Sequence, residues 1–415
     1  MRRWGWISGV VAIGVIGAAL TSFAADSGAP PARVESVTDM LHGVAVSDPY
    51  RWLEDGASAE TQAWSSAQSE RSRAYLDGLS VRTPIRARIE AAITQSSPRY
   101  YGLTYAGGRV FSMYFDPKKQ QPILVVMGAD ADPVSAKTVL DPNLHDTTGA
   151  TTLDWYVPSH DGKLVALSLS KDGSEDGTLH VFETDTGRET GERIAHVQYP
   201  TAGGDVAWAP DNLSFWYTRY PTQGASAEDR HFFQQVYVHR LGDDPAKDAH
   251  VFGDGLPKVA EIKLSYSLAD KKLLVSVQNG DGGEFVHFVR GEDGQFQQLT
   301  HYEDGIDFVA FGPDAGLYLV SEKGAPRRRV LKLAPGVSDL AEASTIVEEG
   351  EDAIVIDFWG EKAINFTADK MYVRTIAGGP SRVRVFDLSG KALDDVPLPE
   401  VAAVDEIEPV GEDVL

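Results

Sequence analysis

"DGKLVALSLSKDGSEDGTLHVFETDTGR", Asp161 to Arg188, holds in order a tight turn, a short β-rich run, a polar hairpin loop, a second β-rich run and another polar turn. The same order recurs along the chain. Asp211-Asn212 precedes LSFWY, Asp270-Lys271 precedes KLLVSV, Asp314-Ala315 precedes GLYLVS and Asp369-Lys370 precedes MYVRT. Counted from Asp161, these aspartates lie 50, 59, 44 and 55 residues apart, and Gly107-Gly108 opens an earlier unit ahead of RVFSMYF. Most units close alike, on "LHVFETDTGR", "VYVHRLGDD", "FVHFVRGEDGQ", "RRVLKLAPG" or "RVRVFDLSGK". A turn, strand and outer hairpin repeated every 40 to 50 residues or so is the period of a β-propeller blade, because radial repetition leaves only short edges. The expected fold class is therefore an all-β propeller of six recognisable blades. A pair of β-sandwiches would also supply many short strands, but it would not impose a near-constant period.

Composition agrees with a turn-rich globular chain: 415 residues, 42% hydrophobic, with 40 glycines and 22 prolines. Sixty-one acidic against 38 basic residues leave a formal net charge of -23, a field that repels phosphate backbones and anionic lipid surfaces. Nucleic acid is not an expected partner. The absence of cysteine excludes disulfides, thiolate metal sites and a cysteine nucleophile.

The front of the chain has a different character. Arg2 and Arg3, the apolar stretch Ile7 to Leu20 and the small residues around Ala24-Ala25 form the three parts of a signal peptide, so residues 1–25 are expected to direct export to a bacterial periplasm or beyond. Retained instead of cleaved, the uncharged run Trp4 to Ala25 is long enough to act as an anchor. No later segment is apolar enough to span a membrane. After a Pro30-Pro31 tether, Trp64, Ala67, Arg71, Ala74 and Tyr75 recur at helical spacing behind Ser58 as cap, ending near Gly78. A second helix is expected with Thr83 as cap, Pro84 at its first position, and Ile85, Ile89 and Ile93 as one apolar stripe. Two short helices cannot bury such stripes on each other alone.

Motifs that carry chemistry are mostly missing. A nucleophile elbow needs Gly-x-Ser-x-Gly, and the nearest fragments, Gly56-Ala57-Ser58-Ala59-Glu60 and Gly224-Ala225-Ser226-Ala227-Glu228, lack the second glycine. There is no Gly-rich phosphate loop and no HExxH zinc motif. Asp172, Ser174, Asp176 and Glu183 match the spacing of an EF-hand calcium loop, but β-rich runs flank them where helices are required, so the stretch reads as a hairpin loop. No cofactor or metal is expected.

One stretch carries a family resemblance. Asp48-Pro49-Tyr50-Arg51-Trp52-Leu53-Glu54-Asp55, an amphipathic helix, then Thr83-Pro84-Ile85-Arg86 resembles the N-terminal signature of the prolyl oligopeptidase family of serine peptidases. "FDPKKQQPILVV", "VLDPNLHD" and "VAWAPDNLSFWYTRYP" are similar to the same family. The resemblance implies a two-part enzyme: an α/β-hydrolase domain with Ser, Asp and His, and a seven-bladed propeller that admits only short peptides. It implies that residues 26–98 form an N-terminal helical segment packing on the hydrolase domain, and that 99–415 form the propeller without its last blade. The expected partners are a short peptide, cleaved after proline by a serine acyl-transfer mechanism, and the hydrolase domain itself; the chain is expected to be a monomer without activity of its own. Where prolyl-specific members are expected to carry a substrate-pairing arginine, this chain has Gln278 in "LLVSVQNGDGGEF", which loosens the expectation of strict prolyl specificity. The competing expectation is a stand-alone cell-envelope propeller that binds a ligand without catalysis.

Overall fold

The computed structural model describes residues 28–199, 202–221, 226, 229–356 and 363–415. The signal-peptide segment 1–25 lies outside the described residues, as does most of the fragment 224–228. The chain divides into two compact units, with the boundary between Gln95 and Ser96.

In the first unit a hairpin of Val37–Leu41 and Val44–Asp48 leads into DPYRWLED. The motif is held by side chains reaching back to the backbone and to each other. Asp48 accepts the Tyr50 amide at 2.8 Å and the Arg51 guanidinium at 3.0 Å, and Arg51 also pairs with Asp39 of the hairpin. Trp52 donates its indole N–H to the Arg33 carbonyl at 2.7 Å and meets Trp64 edge to face at 6.3 Å. Trp64 lies on α1, Ala59–Asp77, whose first turn is capped as expected: the Ser58 hydroxyl accepts the Thr61 amide, and Gly78 follows the last turn. The second helix, α2, runs Arg82–Thr94 and is preceded by Val81 without a side-chain cap, so Thr83 is a first-turn residue and not the cap. Ile85, Ile89 and Ile93 are 55%, 54% and 53% exposed. With Leu76, Leu79 and Val81 they line an open groove of about 560 Å³.

The second unit contains five four-stranded antiparallel sheets, spanning 99–140, 151–198, 206–252, 261–298 and 306–347, and a sixth over 353–387. These are blades 1 to 6 of a propeller. In blade 6 the innermost strand is split into Ala353–Ile354 and Ile364–Phe366, which pair along the same edge of Lys370–Ile376. Each turn noted in the sequence lies between the first and second strands of a blade. The strand visible after it is the second strand, as with Leu164–Lys171 in blade 2 and Lys272–Gln278 in blade 4. The reason is burial on both faces. Val165, Leu167 and Leu169 pack on Phe111 and Leu124 of blade 1, whereas Ala166 packs with Val206, Trp208 and Tyr217 of blade 3. Every described pair of neighbouring blades from 1 to 6 shares such a core, so the second strands read as unbroken apolar runs.

Close approach at the blade ends demands glycine. Gly107 has φ +57°, and a Cβ there would come within 2.1 Å of the Asp161 carbonyl oxygen in the corresponding turn of blade 2. After blade 6, Pro409–Val410 and Asp413–Val414 form a separate two-stranded hairpin.

Candidate functional site

The first strands of all six blades contribute walls to one axial cavity of about 410 Å³, through Thr104, Val157, Asp205, Lys263, Asp307 and Ile364. On blade 4 the cavity is also lined by Ser276, Phe285 and His287. Register explains this row. Lys263 pairs directly with Ser276, and Ser276 pairs directly with His287 on the third strand. Residues opposite one another in an antiparallel sheet project from the same face, so an ammonium, a hydroxyl and an imidazole stand side by side across three strands.

His287 is 1% exposed, and burial pushes its imidazole down to about 3, so the ring is neutral. Its Nδ1 and backbone N–H both meet the Thr300 hydroxyl, at 2.9 and 3.0 Å. Across the cavity Arg328 donates to Asp307 at 2.7 Å and to the Ile354 carbonyl at 3.2 Å, tying blade 5 to blade 6. Burial pushes the Asp307 carboxyl up, and Arg328 opposes that shift. Asp205 accepts the Leu264 amide at 2.7 Å, a tie from blade 3 to blade 4.

Gln278 ends the second strand of blade 4, half-buried, between Glu261 and Phe285 in the register. It is two residues beyond Ser276, on the same strand face. Beside it Glu261 is 5% exposed, and burial together with the nearby Asp281 pushes its carboxyl up to about 7, opposed by Lys263. Where the family resemblance implied a cation, the local side chains are thus an amide and a buried acid.

The calcium-like stretch is a hairpin loop. Asp172 to Asp176 connect the strands Leu164–Lys171 and Gly177–Glu183, with Asp172 and Glu175 in the left-handed region at φ 56° and 54°. Glu183 lies at the far end of the second strand and is bonded to Thr186 and Arg188. Among the described residues, no group of three or more His, Asp or Glu side chains is arranged to hold a metal ion.

Asp176 belongs to a different cluster. His196 Nδ1 lies 2.9 Å from the Tyr199 hydroxyl and 3.2 Å from Asp176, and Tyr199 stacks on His231 at 4.1 Å. Burial, then Asp176, pushes the Tyr199 phenol up to about 12. Neither this cluster nor the Lys263, Ser276 and His287 row was legible in the sequence: register across three strands assembles the row, and loops and strand ends brought together by the fold assemble the cluster.

The comparisons with known proteins agree with this architecture. The family model of the prolyl oligopeptidase N-terminal β-propeller domain matches residues 30–413. The prolyl endopeptidase of Elizabethkingia miricola is 24% identical over 379 residues, covering 89% of this chain and 50% of the relative. Prolyl oligopeptidase A of Galerina marginata is 30% identical over 259 residues, covering 54% of this chain and 34% of the relative. Among solved structures, one from a structural and mechanistic analysis of two prolyl endopeptidases superimposes with a TM-score of 0.80 at 26% identity, over 92% of this chain and 55% of that one. Prolyl oligopeptidase B of Galerina marginata, bound to a 35mer substrate, shares the fold at a TM-score of 0.71 and 18% identity, over 88% of this chain and 54% of that one. The chain spans about half the length of the curated prolyl endopeptidases it matches. With the family model covering nearly all of it, this chain belongs to the prolyl oligopeptidase family, through that family's N-terminal β-propeller domain.

Proposed function

We propose that this chain is the N-terminal and substrate-gating portion of a prolyl oligopeptidase-like serine peptidase that cleaves short peptides after proline. The observation that carries the reading is the coincidence of a family propeller with an exposed apolar helix face, centred on Ile85 and Ile89 of α2. A stripe of this size costs solubility unless another surface covers it, and an α/β-hydrolase domain is the partner the family supplies. In this reading that domain brings the serine nucleophile, the histidine base and the oxyanion donors, and the propeller restricts access to the reacting carbonyl by size. With a volume of about 410 Å³, the axial cavity has room for a short peptide segment and none for a folded protein. Gln278, beside the buried Glu261, is proposed to face substrate and to relax the requirement for proline.

The 415-residue chain assayed alone against a proline-containing fluorogenic peptide is expected to give no turnover above a mock purification. Activity in the purified chain that is absent from the mock would refute the division of labour. Reading the DNA beyond codon 415 provides the second test: a continuing frame with Gly-x-Ser-x-Gly supports the peptidase reading, and its absence favours an envelope propeller that only binds. Export, a cleaved residue 1–25 segment and a monomeric state are part of the same proposal. N-terminal sequencing of the protein from a periplasmic fraction, and its sedimentation, test them.

A further inference from the structure

The blade 4 wall of the axial cavity carries a polar group with no partner among the described residues. Thr300 is fully buried, and its oxygen already accepts the His287 backbone N–H at 3.0 Å. Among the described residues its hydroxyl hydrogen then has one acceptor in hydrogen-bond contact, His287 Nδ1 at 2.9 Å. A buried hydroxyl does not leave its hydrogen unpaired, so Nδ1 is the accepting nitrogen and the ring proton sits on Nε2.

With Nδ1 on Thr300, Nε2–H is the remaining donor of a ring that lines the cavity, and that nitrogen has no protein partner among the described residues. The Ser276 hydroxyl stands directly across the strand from it, with Lys263 beyond. Phe285 stacks against the imidazole at 6.1 Å between centroids and supplies an apolar wall.

We infer that the blade 4 wall of the axial cavity is a peptide subsite, in which His287 Nε2–H and the Ser276 hydroxyl bind an acceptor oxygen of a short peptide. The ligand chemistry is a terminal carboxylate or a backbone carbonyl. A neutral imidazole locked in one tautomer suits this role, because it donates without changing charge across the physiological range. Lys263 adds positive potential on the same row, against the carboxylates of Asp205 and Asp307 elsewhere in the lining. The inference rests on the peptide-gating reading above and adds to it a defined place for one end of the substrate.

The test uses the 415-residue chain with ¹⁵N-labelled histidine, the His287 resonance being assigned by its loss in His287→Gln. Long-range ¹H–¹⁵N correlation is expected to show the Nε2–H tautomer in the free protein. Titration with acetyl-Gly-Pro and with acetyl-Gly-Pro-amide should move the Nε2 resonance, and Ser276→Ala should weaken binding roughly three- to tenfold, the range for loss of one neutral hydrogen bond. Tighter binding of the free acid assigns the site to a terminal carboxylate, and equal binding of the two assigns it to an internal carbonyl. An Nδ1–H tautomer, or unchanged affinity in Ser276→Ala, overturns the subsite. Calorimetric heat with no movement at His287 places the peptide elsewhere and sinks this subsite alone. Neither heat nor movement with either peptide sinks it together with the peptide-gating reading.

Discussion

Glu406 and Gly102 lie 304 residues apart in the chain, and the Glu406 carboxylate accepts the Gly102 amide hydrogen at 2.8 Å. Its second oxygen accepts the Leu103 amide at 2.9 Å, and Glu408 accepts that of Tyr105 at 2.5 Å. On the other side Arg374 of blade 6 donates to the Val404 carbonyl at 3.0 Å and to that of Asp405. Residues 404–408 therefore bridge blade 6 to the first strand of blade 1 through side chains reaching backbone, without a shared β-ladder. Charge-assisted bonds to backbone amides are among the stronger hydrogen bonds.

Replacing both carboxylates, in Glu406→Gln/Glu408→Gln, sets amide donors among backbone donors and is expected to lower stability by about 2–3 kcal/mol. Urea unfolding measures it, with the exposed Glu400→Gln as control. A double variant indistinguishable from the control would show that the bridge contributes nothing to holding blades 6 and 1 together.

Glu261 gives the stability a pH dependence of definite sign. Its carboxyl is raised from 4.5 to about 7 in the folded protein, so the folded state keeps a proton that the unfolded chain has already released. The contribution is fully present below about pH 4.5 and is lost as pH rises through 7. The loss is at most about 3 kcal/mol. Glu261→Gln should be more stable than the parent at pH 8, with the two converging near pH 4.5; parallel pH profiles would contradict the assignment.

His239 binds two blades by charge. Its Nε2 meets Glu192 of blade 2 at 3.0 Å and its Nδ1 meets Asp248 of blade 3 at 2.9 Å, with the imidazole buried. Burial pushes its titration down, and the two carboxylates together outweigh this and push it up. The folded value lies above the unfolded one, so the stabilisation is present below about pH 6.5 and disappears as pH rises through the folded value. His239→Gln leaves two buried carboxylates without a cation and should cost about 3–5 kcal/mol near pH 6. Thermal unfolding at pH 6 and pH 9 checks both size and direction, the difference between parent and variant narrowing at the higher pH.

The groove on α2 predicts a gain in place of a loss. Ile89→Glu replaces an exposed apolar side chain by a charged one, and should raise the concentration at which the 415-residue chain begins to aggregate while leaving its unfolding free energy within about 0.5 kcal/mol of the parent. Light scattering during concentration measures the first effect. An unfolding free energy lowered by several kcal/mol would mean that Ile89 is part of the packed unit and not a docking face.

The parts of this protein that were legible in the sequence share a physical property: they are set by neighbours in the chain. Ser58 caps α1 because its hydroxyl needs only an amide three residues on, and Gly78 ends it for equally local reasons. Turns opening on Asp or Gly mark the first hairpin of each blade because turn geometry is decided by two or three residues. Thr83 misled for the same reason, since a local cap signal was overridden by a helix that starts at Arg82. The unbroken apolar runs announced strands buried on both faces, and so a repeat in which each blade packs between two others.

What the tertiary structure alone decided is which side chains meet. "FVHFVR" gives no hint that its histidine faces Ser276 and Lys263, because that row depends on the register of three strands. A slip of one residue would send all three side chains to the other face. Likewise Gln278 read as an isolated polar substitution until the sheet set Glu261 beside it, and Glu406 read as one acid among many until the ring brought it to Gly102. Local hydrogen bonding and hydrophobic period write the propeller into the sequence; the sites arise only when the ring brings distant strands into contact.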